Sequence, residues 1–401
     1  MEVEETRRGT SGSICRYGEC PAGVNGTLFV PAAPISLLGN VRRKFNNVFG
    51  KSTMYPTVRA KNVRNVVIIL AYYRSGSSYT GSVFNTHKDV MYLFEPLYNV
   101  QKGYSNAKAN SVSAKLRRIL QRIVDCKLDD YVDDFRINPS FLKRSRAVTH
   151  AENCSYVLHA RKVFKCASFP SALTRYDRRA AASRTSQQRR KLPAGLKSIS
   201  LGELCRRYDT LVLKLIRGDI AEIEPLLGQR GKRIRVIHLV RDPRGMLRSQ
   251  KSILGPRFGL HESVNVSMLE QAHELCDRML RNLVAADRLN SRRGDVVMTV
   301  RYEDMATDPH GVVDGMFKFA DIAMSSDVRR LLMMTAAKAR MSREDAYGTV
   351  RKNSTKTAYA WEKEDASFLR PIEYACGEFL SKAGYPVTSS LSATEQSPRE
   401  R

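Results

Sequence analysis

The chain has 401 residues, 42% of them apolar, which is enough to bury one large core or two ordinary ones and excludes a wholly disordered protein. It carries 67 basic against 40 acidic residues, a formal net charge of +27. That excess predicts a polyanionic partner (nucleic acid, acidic lipid or acidic polysaccharide), and a single Trp with no repeated basic–aromatic pattern argues against nucleic acid.

Residues 1–62 read as a Gly/Pro/Ser-containing lead-in without a clear period. Within it, the apolar run Leu28–Leu38 contains two prolines and falls short of the ~18 residues a membrane helix needs. The acidic start Met1-Glu-Val-Glu-Glu5 lacks the basic region that opens a signal peptide. From Val66 onward, apolar runs alternate with amphipathic stretches. Val66–Ala71 is predicted as a buried strand, Ser77–Thr86 as a helix with Tyr79, Val83 and Phe84 on one side, and Val90–Phe94 as a second strand. Leu116, Ile119, Leu120 and Ile123 have helical spacing.

Further along, Arg175–Lys191 is polar and strongly basic, the composition of an inserted surface loop. Thr210–Ile216, Ile234–Val240 and, more weakly, Val296–Val300 read as strands. A long helix between the last two places Leu269, Ala272, Cys276, Met279 and Leu283 on one face. Helical patterns recur over His310–Arg340 and Pro371–Lys382. Strands alternating with helices predict an α/β domain over 63–387, a mostly parallel sheet with helices on both faces, followed by a disordered tail at 388–401.

Two stretches carry the chemistry. In the first, the strand ending at Ala71 runs into Arg74-Ser-Gly-Ser-Ser78 and then a helix. Such a turn aims backbone N–H groups and a helix dipole at one point, Gly76 lets the backbone come close, and Arg74 adds a planar cation. The lysine of a nucleotide-hydrolysing loop, G-x-x-x-x-G-K-[ST], is absent, which disfavours a nucleotide kinase. In the second, the strand ending at Val240 runs into Arg241-Asp-Pro-Arg-Gly-Met-Leu-Arg-Ser249. Pro243 suits the first helical turn and Asp242 its N-cap, and they gather Arg241, Arg244, Arg248 and Ser249 within two turns. Two such corners suit a ligand with separated phosphate groups.

These residues resemble a known family. Arg74-Ser-Gly-Ser-Ser78 is similar to the 5′-phosphosulfate loop of carbohydrate sulfotransferases, and Arg241–Ser249 to their 3′-phosphate motif. The nearest resemblance is to the galactose/N-acetylglucosamine/N-acetylgalactosamine 6-O-sulfotransferases, which include the keratan and chondroitin 6-sulfotransferases. The segment Phe84–Tyr98, Val300-Arg-Tyr-Glu-Asp304, Trp361 and Ile372–Tyr385 agree, so the likeness covers roughly Val66 to Val387. It implies a P-loop-like sulfotransferase fold and 3′-phosphoadenosine 5′-phosphosulfate (PAPS) as sulfuryl donor, with no metal. It further implies coenzyme binding by Arg74, Ser75, Gly76, Ser77, Ser78, Tyr79 and Thr80, and by Arg241, Asp242, Pro243, Arg244, Gly245, Met246, Leu247, Arg248 and Ser249. Glu95, in Phe94-Glu-Pro96, matches the family glutamate proposed as the base that takes the acceptor proton. The alternative for Glu95 is to orient a basic residue.

His87 and His238 are expected to be structural, Glu303 and Asp304 to hold the loop after their strand, and Lys214 and Arg217 to face either acceptor or coenzyme. The partner implied is a glycan or glycosaminoglycan, with the Arg178–Lys191 cluster either gripping it or merely solvated. Family members are type II Golgi membrane proteins, so the expectation is a Golgi-lumenal enzyme whose anchor lies outside an incomplete N-terminus. Four N-x-[ST] tripeptides, at Asn25, Asn153, Asn265 and Asn353, accord with a lumenal site, and the eight cysteines have no C-x-x-C spacing for zinc. A basic polysaccharide-binding protein that kept the fold without catalysis is the rival reading.

Overall fold

A computed structural model describes residues 64–98, 109–128, 139–142, 144–150, 155–158, 164–167, 198–254, 260–261, 264–265, 267–338 and 353–387. The lead-in, the basic loop Arg175–Lys191 and the tail over 388–401 lie outside them. Strands in chain order are β1 (Arg64–Leu70), β2 (Val90–Phe94), β3 (Ser155–Leu158), β4 (Phe164–Ala167), β5 (Ser198–Ser200), β6 (Thr210–Leu215), β7 (Lys232–Val240), β8 (Leu260–His261), β9 (Val264–Asn265) and β10 (Val297–Arg301). Helices are α1 (Ser77–Thr86), α2 (Ala109–Val124), α3 (Pro139–Leu142), α4 (Arg146–His150), α5 (Leu201–Arg206), α6 (Ile220–Ile223) and α7 (Pro243–Leu254). They continue with α8 (Met268–Arg293), α9 (Tyr302–Thr307), α10 (Pro309–Phe319), α11 (Ser326–Lys338), α12 (Ser354–Ala358) and α13 (Ala366–Lys382).

Five strands form the central sheet in the order β10-β7-β1-β6-β2, and every neighbouring pair is parallel. β1 is buried at six of its seven residues because helices cover both faces. Its alternate side chains feed two cores. Val66, Ile68 and Leu70 meet Leu116, Ile119, Leu120 and Ile123 of α2, whereas Val67 and Ile69 meet Val83 and Phe84 of α1 and Val313 and Phe317 of α10. A third core joins Met246 and Leu247 of α7, Ala272, Cys276 and Met279 of α8, and Ile372 and Phe379 of α13. This is the predicted α/β architecture.

Local signals explain the element ends. Ser267 and Glu270 close a capping box at the start of α8, and Gly294, at φ 74°, follows its end. Ala272, Cys276, Met279 and Leu283 are buried as the period predicts, but Leu269 is 37% exposed. Helical side chains lean toward the amino end, so this first-turn residue overhangs the packed face. The helical patterns expected over His310–Arg340 are two helices, parted where Asp321 takes φ 54°. α13 starts before Pro371, because Asp365 caps it by accepting from the Phe368 amide at 3.0 Å. The antiparallel β3-β4-β5 sheet and the β8-β9 pair carried too little periodicity to be predicted.

Two disulfides close long loops: Cys126–Cys205, 79 residues apart, and Cys276–Cys376, 100 residues apart. The second fastens α8 to α13 in the third core. Loop-closure entropy predicts that replacing Cys276 and Cys376 together by Ala lowers stability by roughly 2–5 kcal/mol. Guanidinium melts of the double variant beside the parent protein measure it.

Candidate active site

The parallel sheet brings its strand ends to one edge. Leu70 of β1 pairs with Leu215 of β6 and His238 of β7, Val240 pairs with Arg301 of β10, and Phe94 of β2 pairs with Lys214. The segments that leave these ends are the Arg74–Ser78 loop, the Arg241–Ser249 corner, Glu95, Lys214 with Arg217, and α9. An open α/β sheet places ligands at this carboxyl edge.

At the first corner, Ser75 makes a tight turn. Its amide and hydroxyl both donate to the Tyr72 carbonyl, at 3.2 and 2.8 Å, and its oxygen accepts from the Tyr72 amide at 3.2 Å. Arg74 and Gly76 adopt left-handed backbone, at φ 70° and 89°. For Arg74 this conformation costs about 1–3 kcal/mol. At Gly76 only glycine serves, since a Cβ would stand 2.5 Å from Tyr302 Cδ2. Gly76 is also the N-cap of α1 and offers no side-chain acceptor, so the first amides of that helix are left for another anion. Ser77 is buried, and Ser78 and Tyr79 are half-buried along the first turn.

The second corner starts as expected: Asp242 caps α7, its Oδ1 accepting from the Arg244 amide at 2.9 Å. The arginines diverge. Arg241 lies over the Tyr302 ring at 4.3 Å and donates to the backbone carbonyls of Arg74 at 2.8 Å and Thr357 at 3.2 Å. Its buried Nε has no hydrogen-bond partner. Gly245 packs beneath it, with room for a Cβ only 3.3 Å from that nitrogen. Arg248 reaches Glu364 at 2.8 Å, and Ser249 Oγ accepts from Arg74 Nε at 3.0 Å. The two corners are thus tied twice, by Arg74 to Ser249 and by Arg241 to Arg74.

Several side chains expected at the ligand face elsewhere. Arg244 is fully buried and spends its donors on Asp242 (3.0 and 2.8 Å), Glu373 (2.5 Å) and the Pro386 carbonyl (2.7 Å), beneath the Trp361 ring at 3.6 Å. It is a structural tie. Met246 and Leu247 belong to the third core, because the helix turns them inward. Thr80 is buried with its hydroxyl toward Met305 Sδ, and the Ser75 hydroxyl is consumed within its own turn.

Glu95 sits at φ 43°, between two cations. Lys214 Nζ donates to Oε1 at 2.6 Å and Arg217 to Oε2 at 3.0 Å. Burial outweighs the attraction of Glu95 and brings the Lys214 ammonium down to about 8. Arg217 also covers the Tyr98 ring at 4.6 Å.

The remaining polar groups brace this edge. Burial brings His238 down to about 3, so its ring is neutral. Tyr72 OH accepts from Asn282 at 3.1 Å, which leaves its proton for His238 Nε2 at 2.8 Å. Asn282 also donates to Asp219 at 2.9 Å. His87 lies near the Ala323 carbonyl at 3.1 Å, remote from the loop. Burial raises the Glu303 carboxyl, which accepts from the Asp242 amide at 3.1 Å and Tyr385 OH at 2.9 Å. Among the described residues no group of three His, Cys, Asp or Glu side chains is placed to hold a metal ion. No described helix is long and apolar enough to cross a membrane.

A sulfotransferase family model matches residues 233–326, the stretch containing the second corner. Rat carbohydrate sulfotransferase 1 is 28% identical over 343 residues, covering 81% of this chain and 80% of that protein. Human carbohydrate sulfotransferase 6 is 28% identical over 344 residues, covering 80% and 81%. Over about four-fifths of its length the chain is similar to carbohydrate sulfotransferases. Among solved structures, the sulfotransferase domain of the Synechococcus PCC 7002 olefin synthase aligns with a TM-score of 0.39 and 16% identity, over 84% of this chain and all of that one. Mouse sulfotransferase SULT7A1 complexed with PAP gives 0.37 and 8%, over 79% and 85%. The strand order of the sheet, rather than these two alignments, carries the fold.

Sequence reasoning missed Tyr302 as the shared floor of both corners, and left Lys214 undecided although a lysine inside Thr-Leu-Val-Leu-Lys-Leu signals a buried partner. Burial makes the Arg244 tie testable. Arg244→Met strands Asp242 and Glu373 without their cation and is expected to cost about 3–5 kcal/mol in denaturant melts. Arg248→Ala removes a part-exposed pair and is expected to cost no more than about 1 kcal/mol in the same assay.

Proposed function

We propose that this sulfotransferase takes the sulfuryl group of PAPS and places it on the 6-hydroxyl of galactose or N-acetylhexosamine in a glycan or glycosaminoglycan. The observation that carries this reading is the double tie between two anion-type corners beside an acidic residue. One corner suits the 5′-phosphosulfate and the other the 3′-phosphate, and the ties fix the distance between them. The donor and the 6-position come from the resemblance of Arg74–Ser78 and Arg241–Ser249 to the 6-O-sulfotransferases. The free first amides of α1, with Ser77 and Ser78, would hold the 5′ end beside Arg74; Ser249 and Arg248 would meet the 3′-phosphate.

In the reaction, the acceptor oxygen bonds to sulfur as the bond from sulfur to the phosphate oxygen breaks. The acceptor proton must leave as well. Glu95 takes it: each of its oxygens accepts one cation and keeps a second lone pair. Lys214 and Arg217 hold the carboxylate still and offset the charge growing on the leaving phosphate. Their short contacts also favour a second reading, in which Glu95 serves mainly to aim Lys214 at the sulfuryl group.

Glu95→Gln separates the two. As the base, its loss lowers kcat by ~10²–10⁴-fold while the affinity for 3′-phosphoadenosine 5′-phosphate changes little. If Glu95 only orients Lys214, affinity falls and turnover falls less. Sulfate transfer to desulfated glycans and calorimetry on one folded sample give both numbers.

We also place the protein in the Golgi lumen. Disulfides belong to oxidising compartments, and Asn353 is exposed at the start of α12. Its Oδ1 caps that helix by accepting from the Lys356 amide at 2.7 Å, which leaves the Nδ2 that glycosylation modifies out of the cap. Secreted behind an added signal peptide, the protein is expected to lose mass on endoglycosidase treatment; an unchanged mass would remove this support.

A further inference from the structure

One cavity has a volume of about 480 Å³, within the ~300–1,000 Å³ of small-molecule sites. It lies between the end of α1 and α11, with Arg144, Arg146 and Arg330 as its cations and Leu331 and Met334 as its apolar wall. Asp327 is the acidic group that lines it, shared between Arg146 at 3.7 Å and Arg330 at 2.6 Å. The lining therefore keeps a positive excess.

Its basic rim is held in place. Asn85, in the last turn of α1, donates to the Arg144 carbonyl at 2.7 Å and accepts from the Arg146 amide at 2.8 Å. Both ends of one amide thus fix the backbone of Arg144-Ser-Arg146. Ser145 is buried, so the arginines on either side of it reach outward. The Arg146 side chain is fastened in turn to the Thr86 carbonyl.

One lining residue, Arg144, and the Lys214 that pairs with Glu95 meet on the same ring. Arg144 lies over Phe94 at 4.2 Å and over Phe141 at 5.6 Å, and no carboxylate of the described residues pairs with it. Lys214, the partner of Glu95, lies 3.8 Å from the same Phe94 ring. Phe94 directly precedes Glu95. A chain that offers a hydroxyl to Glu95 therefore has a basic, partly apolar cleft next to it along the edge strand β2.

We propose that this cleft is a subsite for an anionic substituent, a sulfate or a hexuronate carboxylate, on a sugar near the one being modified. Arginine suits both groups through its planar fork, and Leu331 and Met334 offer apolar surface to a sugar face. The enzyme would then prefer a glycan already bearing charge. The proposal rests on the carbohydrate-transfer reading above.

The test compares three probes: a neutral galactose/N-acetylglucosamine oligosaccharide, the same oligosaccharide with one sulfate, and a hexuronate-bearing oligosaccharide of equal length. Calorimetry with 3′-phosphoadenosine 5′-phosphate present measures binding, and sulfate transfer is measured in parallel. One charge-assisted contact predicts a preference of about tenfold or more for a charged probe, shrinking as salt rises. The favoured probe identifies the anion. Arg144→Gln and Arg330→Glu are each expected to erase most of that preference. The Arg330 side chain is 68% exposed, so its variant keeps the test valid if Arg144→Gln unfolds. Equal binding of all three probes by the parent protein overturns the subsite, as does a preference that survives both substitutions in folded protein. Charge-dependent binding without any sulfate transfer would instead leave the subsite standing and sink the proposed reaction.

Discussion

Arg244 is the tie on which the site's geometry depends. A fully buried guanidinium is costly to desolvate and stable only when its donors are met, and here two carboxylates, one carbonyl and the Trp361 face meet them. Those partners come from the start of α7, from the segment just before α13, from α13 itself and from the segment just after it. The buried charge therefore locks the origin of α7 to the carboxyl-terminal part of the fold. With that origin fixed, Arg241 and Ser249 have fixed positions on either side of it, and both contact Arg74. A bond that faces no ligand thus sets the spacing between the two corners.

The arginines of the second corner also show where sequence reading reaches its limit. Strand β7, the turn and helix α7 were legible, because an apolar run followed by Asp242 and Pro243 is a local signal. The fate of each arginine was not local. Arg244 is buried because Glu373, 129 residues away, supplies a carboxylate, and Arg241 is held by a carbonyl 167 residues before it. Residues of one type within two turns look equivalent in a sequence. Their partners distinguish them, and those partners come from the tertiary fold. The cysteines obey the same rule: spacing was silent on pairing, whereas the packing of α8 on α13 brings Cys276 to Cys376.

Glu95 illustrates a different compromise. Its backbone is held at φ 43°, a region that non-glycine residues seldom occupy, and its side chain is held by two cations. Strain and ion pairing together fix the carboxylate at the end of β2. Fixing has a chemical consequence, since each carboxylate oxygen is already engaged by a cation. What it gains is placement, because a carboxylate held in this way has no freedom left to lose when a reactant meets it.

The order of the sheet separates an enclosed middle from its edges. β1 and β7 are central, so the two corners that leave them are enclosed by neighbouring segments: Tyr302 below and Thr357 beside them. Among the described residues β2 is an edge strand, with a neighbour in that sheet on one side alone. The small donor of the proposed reaction, with an anionic group at each of two positions, would suit the enclosed middle, where helix amides and arginines need no opening wider than the nucleotide. A polymer cannot thread such a place. In the proposed reaction it would approach from a border strand, and β2 is one, with Glu95 at its tip and Arg144 and Arg217 stacked on the aromatic rings around it.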